Sequence, residues 1–203
     1  MADGRAIGIA GLWARTVEEL GDRLAHEVKN ALNGVAVNME VVRARAGAGA
    51  DASRIAPFAE TAASELEGVV RLTEALLWLV RPLAEPVDVG TTTARLAVLG
   101  GALARGGGGG MVLDPLSGDA VSGASADVVR LLLTSAMLHA TASPGTVCCA
   151  VTPGPRPAVR VQHDGHGMPG AFPAELDVVA RQADVIVECG SEGWTFSFPP
   201  PSA

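Results

Sequence analysis

The stretch Leu24-Ala25-His26-Glu27-Val28-Lys29-Asn30-Ala31-Leu32-Asn33-Gly34 decides how this chain is read. It lies inside a long apolar repeat: Val17, Leu20, Leu24, Val28, Ala31, Val35, Met39 and Val42 recur in steps of three and four, 25 residues over seven steps. A mean step of roughly 3.6 is the period of an α-helix, so one side of that helix is an apolar seam. Each residue turns the helix by about 100°, which carries His26, two positions from both Leu24 and Val28, nearly opposite the seam. Asn30 and Asn33 share its face, Arg23 lies one turn before it, Lys29 three residues after it and Glu27 beside it. The sequence predicts an exposed imidazole ringed by polar and charged groups. In its uncharged form such a ring offers a nucleophilic nitrogen lone pair.

Outward from that stretch, the first helix is predicted from about Gly11 to Ala46, ending in the turn-rich Gly47-Ala48-Gly49-Ala50-Asp51. Asp51 or Ser53 is the candidate cap of the next helix. A second stripe, Phe58, Ala62, Leu66, Val69, Leu72, Leu76 and Leu79, predicts that helix to be long as well and to stop near Pro82. Two long helices on a short loop make an antiparallel hairpin. A hairpin alone cannot cover both its stripes, so a second copy related by a two-fold axis is expected to complete a four-helix bundle, a homodimer with two copies of His26.

After Pro82 and Pro86 the pattern changes. Short β-rich runs appear at Met111 to Leu113, Val147 to Val151, Ala158 to Gln162, Val185 to Glu188 and Trp194 to Phe198, punctuated by Gly and Pro. Helical stretches fall between them at Thr92 to Ala104, Ala126 to Ala140 and Pro173 to Ala183. This alternation predicts an α/β sandwich with helices on one face of a mixed sheet. Residues 82 to 90 read as a boundary, dividing the chain into a hairpin over 1–84 and a sandwich over 85–203.

With 203 residues, 48% hydrophobic and 18% charged, the chain can bury a substantial core. A formal charge of -7 argues against nucleic acid or an anionic membrane as the main partner, because both favour a basic surface. No basic segment leads into a long apolar run, and no uncharged stretch approaches the about 20 residues that cross a bilayer. A soluble cytoplasmic protein is expected. Cys148, Cys149 and Cys189 have no metal-ligand spacing and read as small apolar residues in a reducing compartment.

Residues 24–34 resemble the phosphoacceptor box of bacterial sensor histidine kinases, and the hairpin resembles their dimerisation and phosphotransfer domain. The second half resembles the ATP-binding domain of the same kinases more weakly. Ser135, in Leu131-Leu132-Leu133-Thr134-Ser135-Ala136, falls where they carry a magnesium-binding asparagine, and Asp164-Gly165-His166-Gly167 looks like their first glycine box. The departures are informative. Ser135 offers a neutral hydroxyl in place of the asparagine, and only 15 residues, Gly170 to Asp184, stand where a nucleotide lid and a second glycine-rich box belong. Phosphoryl transfer depends on positioning and charge neutralisation of the triphosphate, so ATP binding is not expected. The architecture resembles the dimeric histidine phosphotransferases of the ChpT type: an α+β chain with a dimeric helical hairpin and a degenerate ATPase-like sandwich. That resemblance implies that His26 takes a phosphoryl group from one receiver aspartate, for example that of an upstream hybrid kinase, and gives it to the aspartate of another response regulator. Glu27 would accept a proton from the imidazole or fix its tautomer. Arg23, Lys29 and Asn33 would meet the receiver, which would bring its own magnesium ion.

Three other readings stand beside this relay. Asn30, one turn after His26, could orient a water that attacks a receiver's aspartyl phosphate, making the hairpin a phosphatase. A non-catalytic adaptor would hold receivers without taking label, and a divergent active kinase would label His26 from ATP through Asp164, Gly165 and Gly167. Elsewhere, the run Gly106 to Gly110 lacks the Lys-Ser or Lys-Thr of a P-loop and reads as a flexible connection. His163, Asp164 and His166 lack a fourth ligand for a metal. His139 reads as a capping or surface group, and Trp13, Trp78 and Trp194 as packing residues, with Trp78 placed to touch the second half.

Overall fold

The apolar period predicts helices, and the computed structural model, which describes residues 8–81, 85–116, 118–164 and 172–201, carries them slightly further than the stripes do. Helix α1 is Ile9–Gly47 and α2 is Ala52–Val80. Gly49 turns the chain between them at φ 74°, a conformation open to glycine at little cost. Its N–H and that of Ala50 donate to the carbonyls of Ala46 and Arg45 at the end of α1. Asp51 stands at the N-cap of α2 without a side-chain hydrogen bond.

The predicted stripes face inward unevenly. On α1, Leu20 and Leu24 are buried, Val17, Val28, Ala31, Val35 and Val42 are half-buried, and Met39 is exposed. On α2, Leu72 and Leu79 are buried, whereas Leu66 is exposed. The physical reason is coverage. The start of α1 and the end of α2 lie against the second half of the chain, and the rest of each helix has only the other for company.

That second half comprises β1 (Val87–Asp88), α3 (Val89–Gly106), β2 (Gly110–Leu113), β3 (Val121–Ser122), α4 (Ala126–Ala140), β4 (Thr146–Thr152), β5 (Ala158–His163), α5 (Ala174–Gln182), β6 (Ile186–Cys189) and β7 (Gly193–Ser197). The main sheet runs β2-β4-β5-β7-β6, with β2 parallel to β4 and the other pairs antiparallel. Its strands are the five β-rich runs marked in the sequence. β1 and β3 form a separate two-residue ladder, Val87 opposite Ser122, too short to show a period of two. Side chains alternate across the main sheet: Val147, Cys149, Val159, Val161, Trp194 and Phe196 are buried, while Arg160 and Glu188 face water.

Hairpin and sandwich share one core, in which Leu12, Leu20 and Leu24 of α1 and Leu72, Ala75 and Leu79 of α2 join Leu96, Leu99 and Leu103 of α3 and Leu131 and Leu138 of α4. Two arginines fasten the junction. The buried Arg130 donates to the Leu79 carbonyl at 2.7 Å and the Arg81 carbonyl at 2.5 Å, pairs with Asp127 at 2.6 Å, and lies over the Trp13 ring. Arg23 donates from Nη1 to the Leu138 carbonyl at 2.9 Å and from Nη2 to the Thr141 carbonyl at 2.8 Å, closing the C-terminal end of α4, where a cation also meets the negative end of the helix dipole. Trp78 reaches the second half as the sequence predicts, with Arg95 of α3 over its ring. Among the described residues no helix is long and apolar enough to cross a membrane.

Candidate functional site

His26 stands on α1 just past Leu24, the last buried residue of that helix, where α1 leaves the shelter of the sandwich. Its side chain is 72% exposed and that of Glu27 only 20%. Both of its protein neighbours meet one ring nitrogen: His26 Nδ1 is 3.0 Å from the Asn30 amide nitrogen and 3.4 Å from Glu27 Oε1. A carboxylate can only accept, so Glu27 favours a proton on Nδ1. An Nδ1–H also suits Asn30 with its amide turned so that the oxygen, in place of the nitrogen, faces the ring. One tautomer therefore satisfies both neighbours. It leaves the lone pair on Nε2, which has no hydrogen-bond partner among the described residues and faces water.

Helical geometry sends Glu27 about 100° around α1 from His26, toward α3. There it lines an open cavity of about 590 Å³ with Asn30, Glu65, Arg71, Ala102 and Arg105. Glu65, from α2, lies against Gly34; a Cβ on that glycine would stand 2.7 Å from the Glu65 carboxyl carbon.

The structure brings His26, Glu27 and Asn30 together. Lys29 and Asn33 are exposed nearby and have no hydrogen-bond or ion-pair partner among the described residues. Arg23, read from the sequence as a cation turned toward a partner, has its guanidinium drawn instead onto the end of α4, where an additional bond joins Nη2 to Thr141 Oγ1 at 3.0 Å. Eleven residues past His26, on the same side of α1, Val37 is 63% exposed. Sequence reasoning passed over it, although the period that aligns Asn33 also aligns Val37.

Ser135 lies away from His26 on α4, 5% exposed. Its hydroxyl is 3.3 Å from Thr16 Oγ1 of α1, and its carbonyl is 3.1 Å from His139 Nδ1. Asp164 is exposed at the end of β5, its N–H donating to the Thr146 carbonyl at 2.8 Å. Gly165, His166 and Gly167 lie outside the described residues. Among those described, no cluster of His, Cys, Asp or Glu is arranged to hold a metal. The cysteines differ from the common buried role expected of them: Cys149 is buried, Cys148 half-buried and Cys189 exposed.

No protein-family model matches the chain, and no curated protein matches it. Solved structures to which it is similar include the blue-light activated histidine kinase EL346 of Erythrobacter litoralis, at 18% identity and TM-score 0.45 over 66% of this chain and 54% of that one. The histidine kinase AdeS of Acinetobacter baumannii is similar at 12% identity and TM-score 0.45 over 87% of this chain and 98% of that one. Full-length ShkA in complex with AMPPNP is similar at 20% identity and TM-score 0.39 over 92% of this chain and 46% of that one. The chain spans about half the length of EL346 and of ShkA. Likenesses at these TM-scores carry no functional weight, and the reading of function rests on the residues themselves.

Proposed function

We propose that this protein is a histidine phosphotransferase that relays a phosphoryl group between receiver-domain aspartates of a two-component pathway through His26. The observation that carries this reading is the asymmetry of the imidazole: Nδ1 is held by Glu27 and Asn30 while Nε2 is open to an incoming partner. The Nε2 lone pair attacks the phosphorus of an aspartyl phosphate, the phosphorus to carboxylate bond breaks, and the aspartate leaves with the bonding electrons. The phosphorylated ring then carries positive charge, which the Glu27 carboxylate offsets, accepting the Nδ1 proton if the ring gives it up. Reversal onto a second receiver's aspartate completes the relay. The receivers bring their magnesium, which neutralises charge on the transferring group.

Lys29, Asn33 and Val37 form the docking strip around the ring, an exposed cation, amide and apolar side chain suited to the acidic rim and central face of a receiver. Arg23 acts as a positioning residue, anchoring α1 one turn before His26. Exposed apolar side chains on the outer part of the hairpin, Leu32 and Met39 on α1 and Leu66 and Val70 on α2, support a two-fold dimer with a four-helix bundle over residues 1–84. Covering of Ser135 by α1, with its hydroxyl against Thr16, supports a sandwich over 85–203 that no longer serves a magnesium-bound triphosphate.

The second reading is a phosphatase, favoured by Asn30 beside the ring, where an amide can orient an attacking water. Purified protein incubated with a labelled receiver, with and without ATP, tests both readings. The relay expects label on wild-type His26 from the receiver alone and none in His26→Ala. Label that appears only with ATP would make the protein a kinase, and receiver binding without label would make it an adaptor. The phosphatase expects Asn30→Ala mainly to slow release of inorganic phosphate.

A further inference from the structure

We propose that Gly106, in the last turn of α3, is a positioning residue for the His26 site, because its missing side chain is the seat of the Glu27 carboxylate. This rests on the phosphotransfer reading of His26 and adds a wall to that site from the other half of the chain.

The three heavy atoms nearest a Cβ built on Gly106 all belong to Glu27: both carboxylate oxygens and the carbon between them, with Oε2 at 2.9 Å. Real Cβ atoms do not approach so closely, so any side chain there displaces the carboxylate. The backbone supplies no competing reason for glycine. Gly106 is helical and avoids the positive φ that Gly108 adopts at 77°, and it lacks the crowding of Gly109, whose Cβ would strike the Gly145 carbonyl. On propensity alone alanine is the better helix former. The position therefore gives up helix propensity and provides room. Glu27 takes that room, which accounts for its low exposure beside an open ring, and from there its Oε1 lies 3.4 Å from His26 Nδ1. The carboxylate that sets the tautomer is thus placed by a residue 79 positions away in the sequence.

The displaced group is the tip of one flexible side chain, so Gly106→Ala is expected to fold and to melt at or slightly above the wild-type temperature. Full-length protein labelled with 15N-histidine gives the first readout, with no receiver present. The His26 ring nitrogen signals should move in Gly106→Ala in the direction that Glu27→Ala moves them, and the double variant should match Glu27→Ala alone. The second readout is transfer from a phosphorylated receiver, expected to fall about tenfold in Gly106→Ala and no further when added to Glu27→Ala. Unmoved ring signals, an undiminished effect in the Glu27→Ala background, or a melting temperature lowered by several degrees would each overturn the proposal. Absence of label on wild-type His26 would overturn the relay instead, with the ring signals still deciding the role of Gly106.

Discussion

At His26 the protein touches Nδ1 and leaves Nε2 open, so in the proposed relay substitutions of the two neighbours should affect chemistry more than docking. Glu27→Gln keeps the side-chain length and removes the charge; transfer is expected to fall about 100-fold with little change in receiver affinity, as single-turnover rates and titration calorimetry would show. Val37→Glu should do the reverse, weakening receiver binding while leaving the ring unaltered. The thiols offer a separate check. Burial, with smaller contributions from Cys148 and Asp114, pushes the Cys149 thiol from 9.0 up to about 12. Its folded value lies above its unfolded one, so this contribution is intact below about pH 9 and is lost as pH rises toward 12; denaturant midpoints should decline over that window. Alkylation of native protein should mark the exposed Cys189 first. Exposure of His26 was legible from the sequence because a helical period settles which side of a helix a residue takes. The bonds of Arg23 were not, because Leu138 and Thr141 lie 115 and 118 positions further along and no local pattern links them.

Among elements, the joints between hairpin and sandwich carry most of what the sequence left unread. Arg130 sits in an apolar helix stretch and gives no sign in sequence that it satisfies carbonyls at the end of α2. Arg130→Ala leaves those carbonyls and Asp127 without their cation, and is expected to lower stability by about 3 kcal/mol, about 6 to 12 °C in a thermal melt. Arg23→Ala should cost about 2 kcal/mol at its less buried position and loosen α1 against α4 while leaving His26 exposed. The Gly106 to Gly110 run shows the same blindness to distance. Its turn chemistry pointed to a connection, yet it closes α3, with the Gly109 N–H donating to the Ala104 carbonyl at 2.7 Å, and it abuts both Glu27 and Gly145. Helix and strand positions were easier, since apolar spacing is a local property, and among the described residues only the two-residue β1 and β3 escaped it.

For the molecule as a whole, the exposed apolar side chains on the outer hairpin are the feature that a lone chain leaves unresolved. Sedimentation equilibrium is expected to give a dimer, and Leu66→Glu with Val70→Glu to give monomers with the sandwich still folded by circular dichroism. The open side of His26 has a kinetic corollary as well. In the proposed relay one ring per chain would serve donor and acceptor in turn, because both would occupy the same few side chains of α1. Flux through such a relay is ping-pong: double-reciprocal plots run parallel, and an excess of unphosphorylated receiver of either kind throttles throughput by waiting in the other's place. A cell that varies the abundance of its receivers would thereby tune the rate of signalling with no change in the relay protein itself.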